Sequence, residues 1–269
     1  MKSFSLRFLV ISLFFGSISC EQPKTERTPL FNGENLDNWE KFVDYSSQSP
    51  EDSAKTISAE DLFSVVEQEG TPVIRISGEI NASLATRESF KNYHLQMEFK
   101  WGERIFTKRN SGLLYHSYGP FGPGLGAWMS GHELQLWTGN LGDSYRMGET
   151  WCEIPVTQKD STTFVYAKDG DRMAFGKDEV SKIARKITDN EKPIGEWNTV
   201  DLYCLDDVSV HVVNGKTVLV NYKSGKYENE NIEPLTAGKI QFQSEGGELY
   251  IRSVKVTDIT EIPAQVMIN

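Results

Sequence analysis

Residues 93–101, YHLQMEFKW, alternate without a break. Tyr93, Leu95, Met97, Phe99 and Trp101 fall on one side, and His94, Gln96, Glu98 and Lys100 on the other. A period of two predicts a strand with one buried face. VSVHVVNGKTVLVNY (208–222) is two β-branched runs joined by Asn214-Gly215, a pair that accepts the positive φ angles of a tight hairpin turn. LFSVVEQEGTPVIRISG (62–78) reads the same way, with its turn near Gly70. GKIQFQSEGGELYIRSVKV (238–256) is a further strand–turn–strand unit around Gly246-Gly247.

Helical patterning is weak. SPEDSAKTISAEDLF (49–63) predicts one or two turns, and KDEVSKIARKI (177–187) a short helix. Neither alternates with strands in a βαβ rhythm, so the pattern predicts an antiparallel sandwich rather than a parallel sheet. The one long irregular stretch is SYGPFGPGLGAWMSG (117–131), whose Gly and Pro content is incompatible with a regular element. A loop of that length carrying Trp128 points to function.

The run GHELQLW (131–137) alternates through its middle. Leu134 and Leu136 form its apolar half. Glu133, Gln135 and Trp137 form a polar half unlike the Thr, Lys or Ser of an ordinary solvated strand face. In IQFQSEGG, Ile240 and Phe242 point one way and Gln241, Gln243 and Glu245 the other. In NSGLLYH, the alternation puts Gly112, Leu114 and His116 on one face.

The formal net charge is −10. That argues against nucleic acid, whose binding needs a basic footprint, and suits neutral or basic ligands. The N-terminus, MKSFSLRFLVISLFFGSISC, has Lys2 and Arg7, an apolar run from Phe8 to Phe15, then small residues before Cys20. This is the pattern of a secretory signal peptide, too short for a stable membrane anchor. It resembles a bacterial lipoprotein signal, in which the Cys is lipidated after cleavage, although Ser17 stands where such signals usually carry Leu. The expected organisation is a signal peptide (1–19), a lipidated Cys20 with a polar tether (20–29), one domain (30–259) and a short tail (260–269). The expected location is the cell envelope, lipid-anchored, on the periplasmic face of the outer membrane. Membrane contact is expected through the anchor only. Cys152 and Cys204 are the remaining cysteines. A disulfide and two buried thiols are both compatible with an oxidising compartment.

Five stretches in order resemble one family. LFNGENLDNW (30–39), RNSGLLYH (109–116), ELQ (133–135), GEWNTVDLYCLDDVSVHVVNG (195–215) and GKIQFQSEGGELYIRSV (238–254) are similar to the motifs of the DUF1080, or 3-keto-disaccharide hydrolase, domain family. The resemblance spans about residues 30–256. It implies an all-β fold, a concanavalin-like jelly-roll sandwich of two curved antiparallel sheets with a concave sugar-binding face. It implies carbohydrate as ligand and cleavage of glycosides oxidised at C3, by hydrolysis or elimination. Ser253 departs from the family's usual Asn, as do Trp137 and Thr138 from polar residues.

A ketone at C3 acidifies the hydrogen on C2, so elimination needs a base, a donor for the enolate oxygen and an acid for the leaving oxygen. Ordinary glycoside hydrolysis needs two carboxylates across the bond. The catalytic candidates are therefore Glu133, which falls on the family's ExQ motif, Glu245 and His116. Glu133 or His116 is expected as base and Glu245 as acid. Against each stands a structural alternative: a solvated strand face, a turn carboxylate and a core histidine. Arg109, Asn110, Gln135, Gln243 and Arg252 are candidates for holding the sugar. Asp143 and Arg146 are expected in a loop over the groove. Trp128 and Trp137 could stack on a sugar ring, whose C–H faces are apolar. Arg252 could equally be a structural ion-pair partner. Trp39, Trp101 and Trp197 fit the core better. No local spacing suggests a metal site, so neither metal nor cofactor is expected; Glu133, His116, Asp143 and Glu245 would be the ligands of one. The competing reading is a non-catalytic, lectin-like binding module on the same fold.

Overall fold

The computed structural model describes residues 27–47, 57–177, 179 and 181–268. The expected signal peptide, Cys20 and most of the expected tether lie outside the described residues. Among the described residues, two antiparallel sheets stack as a jelly-roll sandwich of the concanavalin type, as the resemblance implied. The larger has twelve strands and the smaller eight. The larger sheet's main path runs Phe164–Tyr166, Thr150–Gln158, Lys216–Glu228, Val208–Val213, Asn198–Leu205, Tyr93–Ile105, Gly247–Asp258, Thr71–Ile76 and Phe63–Gln68. The smaller runs Ile183–Ala184, Ser144–Met147, Ser130–Gln135, Gly112–Tyr118, Ala237–Ser244, Ala82–Thr86 and Trp39–Val43.

The core lies between the sheets. Tyr93, Leu95, Met97, Phe99 and Trp101 are all buried on the inner face of their strand, as the alternation predicted. Across from them lie Leu113, Leu134, Phe242, Leu84 and Trp39. The Trp39 indole packs against Phe242 at 5.5 Å and donates to the Leu30 carbonyl. Asn214 and Gly215 both adopt positive φ, 48° and 78°, and close the predicted hairpin. Glu69 and Gly70 do the same at the other hairpin.

Two sequence expectations need correction, and the short helix expected within 49–63 stands. The stretch 177–187 contains no helix among its described residues. Ile183 and Ala184 instead pair with Tyr145 and Ser144 at the sheet edge. The segment 49–63 yields one helical turn, Ala59–Leu62, capped by Ser58 and Asp61 in a reciprocal box. The unit around Gly246-Gly247 is not a hairpin. Ala237–Ser244 belongs to the smaller sheet and Gly247–Asp258 to the larger, so the chain crosses between sheets there. Gly246 has φ 97°, and a Cβ on Gly247 would lie 2.8 Å from the Arg109 backbone, so the crossing passes too close for side chains. Cys152 and Cys204 are both buried free thiols, which settles that alternative against a disulfide.

Candidate functional site

The smaller sheet turns Leu134 and Leu113 into the core, so the intervening residues face outward. Tyr145, Glu133 and Leu114 lie in one row across three adjacent strands, with Gln241 next to them. Gln135 and Gly112 pair in the next row. Gln243 lies across from Ser83 on the far side. A Cβ on Gly112 would overlap both Glu133 Oε1 and Gln243 Oε1, so these two side chains meet over a glycine floor.

Glu133 is 1% exposed, and neither of its carboxylate oxygens has a hydrogen-bond partner. Gln243 is fully buried, and both ends of its amide are unpaired. Asn110 Oδ1 is a further unpaired buried oxygen. Buried polar groups are normally satisfied, so a cluster of orphans marks a place for hydroxyl groups or water. Burial pushes the Glu133 carboxyl well above the usual carboxylate range. The Glu245 charge raises it further, and Arg146, behind the sheet, opposes. Burial also raises Glu245, to about 7, against the Lys108 charge and a hydrogen bond from Asn110. Both carboxylates therefore hold protons more tightly than free glutamate, and Glu133 feels the charge of Glu245.

At the outer rim, the Lys108 ammonium sits 4.0 Å over the Trp137 ring. Trp137 is half-buried, and Tyr145 beside Glu133 is also half-buried. Burial raises the Tyr145 phenol, with Arg185 opposing. Gln135 uses its side-chain oxygen to accept from the backbone of Leu136 and Trp137 (3.0 and 3.1 Å), which fixes the turn that presents the indole.

Several predicted site residues lie elsewhere. His116 is the extra residue of a β-bulge, registered against both neighbouring strands, with φ 49°. The bulge breaks the alternation and sends the ring into the core against Tyr93, Tyr115 and His132. Burial lowers its pKa to about 4. It is a core histidine and does not reach Glu133's side of the sheet. Arg146 alternates inward after Tyr145. It is 1% exposed between the sheets, bonded to Ser144 Oγ (2.7 Å), the Tyr145 carbonyl (2.6 Å) and Asn221 Oδ1 (3.3 Å). Asp143 is buried and uses both oxygens locally, for Arg185 (2.7 Å) and the Lys186 N–H (2.8 Å). Arg109 points opposite to Asn110, towards the Gly102 carbonyl. Arg252 lies on the larger sheet, bidentate to Glu98 (2.7 and 3.1 Å) and over the half-buried ring of Trp197. Trp128 is fully buried, packs on Leu114, and donates to the Ala82 carbonyl at 3.1 Å, so it offers no stacking face.

Sequence reasoning missed Tyr145, Lys108 and the glycine floor. Tyr145 sits on a four-residue strand too short to show a period. Gly112 was on the predicted face, but an absent side chain draws no attention. Among the described residues, no group of three or more His, Cys, Asp or Glu side chains is placed to hold a metal ion, and no helix is long and apolar enough to cross a membrane.

A family profile described as a 3-keto-alpha-glucoside-1,2-lyase-like domain matches residues 26–257, and the chain belongs to that family. No curated protein matches it significantly. Among solved structures, it is similar to two proposed glycosyl hydrolases from Parabacteroides distasonis. One is 18% identical, with 87% of this chain and 100% of that one covered and a TM-score of 0.49. The other is 21% identical, with 87% and 94% covered and a TM-score of 0.49. It is also similar to the carbohydrate-binding module CBM66 from Bacillus subtilis, at 6% identity, 73% and 92% coverage and a TM-score of 0.45.

Proposed function

We propose that this protein cleaves glycosides already oxidised at C3 by 1,2-elimination, with Glu245 as base and Glu133 as proton donor. The base takes the C2 proton that the ketone has acidified. The freed electron pair forms the C1=C2 double bond as the C1–O bond breaks. The leaving oxygen takes the Glu133 proton and departs as an alcohol. The sugar is left as a 2-hydroxy enone, and one proton exchange with water resets the two carboxyls.

The observation that carries this reading is a pair of carboxyls in unequal surroundings, Glu133 within the smaller sheet and Glu245 just past the end of its strand Ala237–Ser244. Two interacting carboxyls in a water-poor site titrate as a pair, and near neutral pH they share one charge. The charge belongs on Glu245, which has Lys108 and the Asn110 amide beside it. The proton belongs on Glu133, which has no donor at all. This reverses the roles expected from the sequence, because those assigned the base without knowing which carboxyl was deprived of donors. The unpaired Gln243 amide is suited to hold a sugar hydroxyl or the enolate oxygen. The family description, which names a lyase, supports elimination over hydrolysis. The enzyme would act in the cell envelope on a lipid anchor at Cys20, which radiolabelled palmitate incorporation into the wild type but not Cys20→Ala would test.

The deciding experiment incubates the protein with a glucoside and with its C3-oxidised form, with and without chelator. An ultraviolet-absorbing enone should appear from the oxidised form alone. Product from neither would overturn the proposal, and binding of both without product would mark a carbohydrate-binding module. Loss of product with chelator would add a metal to the mechanism.

A further inference from the structure

The outer face of the larger sheet carries a cavity of about 580 Å³. Small-molecule sites span roughly 300–1,000 Å³. Strand alternation builds this one. Leu249, Ile251, Ile74 and Phe99 fill the core, so Glu248, Tyr250, Arg75 and Lys100 face the other way. Arg75, Tyr250 and Lys100 lie in one row across three adjacent strands. Glu248 is 4% exposed although it lies on that outward side. Its room comes from Gly102, where a Cβ would lie 2.5 Å from Glu248 Oε2. The carboxylate thus occupies the space over a second glycine and lines the cavity from below.

The lining is held in place, and its charges cancel. Arg75 donates from Nε to Glu248 Oε1 at 2.8 Å and from Nη1 to the Asp61 carbonyl at 3.1 Å. Asp61 is itself fixed by the capping box with Ser58. At the side, the Lys100 ammonium is 2.8 Å from Glu69 Oε1 and 4.8 Å over the Trp197 ring. The two exposed lining charges, Glu103 and Arg104, are neighbours in sequence and opposite in sign. A charged ligand finds no net charge to answer it here. A buried carboxylate beside a guanidinium offers an acceptor and a donor together, which is what two adjacent hydroxyls need. The half-buried Tyr250 ring supplies an apolar wall for sugar C–H groups.

The geometry points to a second binding site here, for a neutral oligosaccharide, on the opposite side of the sandwich from Glu133. It goes beyond the cleavage reading and does not depend on it. The core separates the two sheets, and the two sites face away from each other. They share chain at the sheet ends. Glu245 precedes and Glu248 follows the crossing at Gly246-Gly247. The segment from Gly102 to Asn110 gives its first residues to the cavity, and Lys108 and Asn110 to the Glu133 side. A polymer held at the cavity leaves the other face free for a further unit, and that second engagement is then intramolecular.

The test is amide NMR of the protein titrated with neutral hexaoses of glucose, mannose and xylose, and with tri-galacturonic acid. At least one neutral hexaose should shift the amides of Arg75, Gly102 and Tyr250. No shifts in any titration, or shifts that spare those three amides, would overturn the site. A stronger response there to the acidic trimer would overturn the neutral class of ligand. Tyr250→Ala should weaken binding read at Arg75 and Gly102 at least about tenfold in Kd. Gly102→Ala, which pushes the Glu248 carboxylate out of its place, should do the same. Unweakened binding in either folded variant would overturn the site, and should Gly102→Ala not fold, Tyr250→Ala decides by itself. None of these outcomes depends on whether C3-oxidised sugars are cleaved.

Discussion

Gly112 and Glu133 occupy a space in which only one of them can carry a side chain: a Cβ on Gly112 would overlap the Glu133 carboxyl. The same Cβ would overlap Gln243 Oε1. Gly112→Ala should therefore push both groups out of place while the strand pairing survives. Displacing a reacting group by about 1 Å costs on the order of 100-fold. The expected loss in kcat/KM is of that order, with an unchanged far-ultraviolet circular dichroism spectrum. An Ala variant of full activity would remove Glu133 from the chemistry.

Glu245 makes a prediction with two readouts. As a base it must be ionised, so kcat/KM should rise with pH through about 7. Its effect on stability has the opposite sense. The folded pKa lies above the unfolded value, so the native state holds the proton more tightly. Stability from this group is full below about pH 4.5, falls as pH rises towards 7, and is constant above. The change is on the order of 3 kcal/mol at one pKa unit per about 1.4 kcal/mol. Glu245→Gln should abolish the rate and flatten this part of the stability profile, measured by urea unfolding at several pH values. An unchanged profile would show that Glu245 is not perturbed by burial.

The histidines act in the other direction. His116 and His211 have folded pKa values of about 4 and about 3, below the ordinary 6.5, because burial disfavours their charged forms. The unfolded chain takes up these protons first as pH falls. Stability should drop below about pH 6.5 and level off only beneath the folded values. Histidine titration by NMR in the native protein should find both rings neutral at pH 6. A charged His116 at that pH would contradict its place in the core.

Two arginines among the sequence candidates should behave differently. Arg252 pairs with Glu98 on the part-exposed face of the larger sheet. Arg252→Ala should leave kcat/KM alone and cost about 1 kcal/mol or less. Arg146 is buried, and its loss would strand Ser144 and Asn221 between the sheets. Arg146→Ala should cost about 3 kcal/mol or more, read from urea unfolding. Similar small costs for both would show the buried network to be dispensable.

Burial pushes the Cys204 thiol up to about 12 and raises Cys152 as well. Neither should react with iodoacetamide in the native protein, and a reducing agent should leave Tm unchanged. A drop in Tm on reduction would reveal a bond between them.

The fold was legible wherever a rule is local. Alternation over residues 93–101 and the Asn214-Gly215 turn depend on neighbours in sequence, and both stand as predicted. Glu133, Gln135, Gln243 and Glu245 were placed by the same period; the first three lie on strands of the smaller sheet and Glu245 on the link just past its strand. His116 fails by one residue. A bulge depends on how many residues the partner strands supply, here Ser130–Gln135 and Ala237–Ser244, and nothing in NSGLLYH encodes that count. The Gly246-Gly247 turn has hairpin composition but joins two sheets, a choice made by what Ser244 and Gly247 pair with. Trp128 shows the same limit for an aromatic in a Gly-rich loop. Its side chain reads as a platform until the loop is seen to fold back and use it as an anchor.

The crossing at Gly246 gives the two carboxyls different mechanical supports. Glu133 rides in the middle of one sheet, held by strands on both sides. Glu245 stands on the link that ties that sheet to its partner. The gap between the proposed acid and base is thus set partly by the thickness of the sandwich. A change of volume in the apolar filling, at Phe242 or Leu249 for example, would alter the spacing of the two carboxyls without touching either one. On the proposed mechanism, the hydrophobic interior is a gauge block for the chemistry on the surface above it.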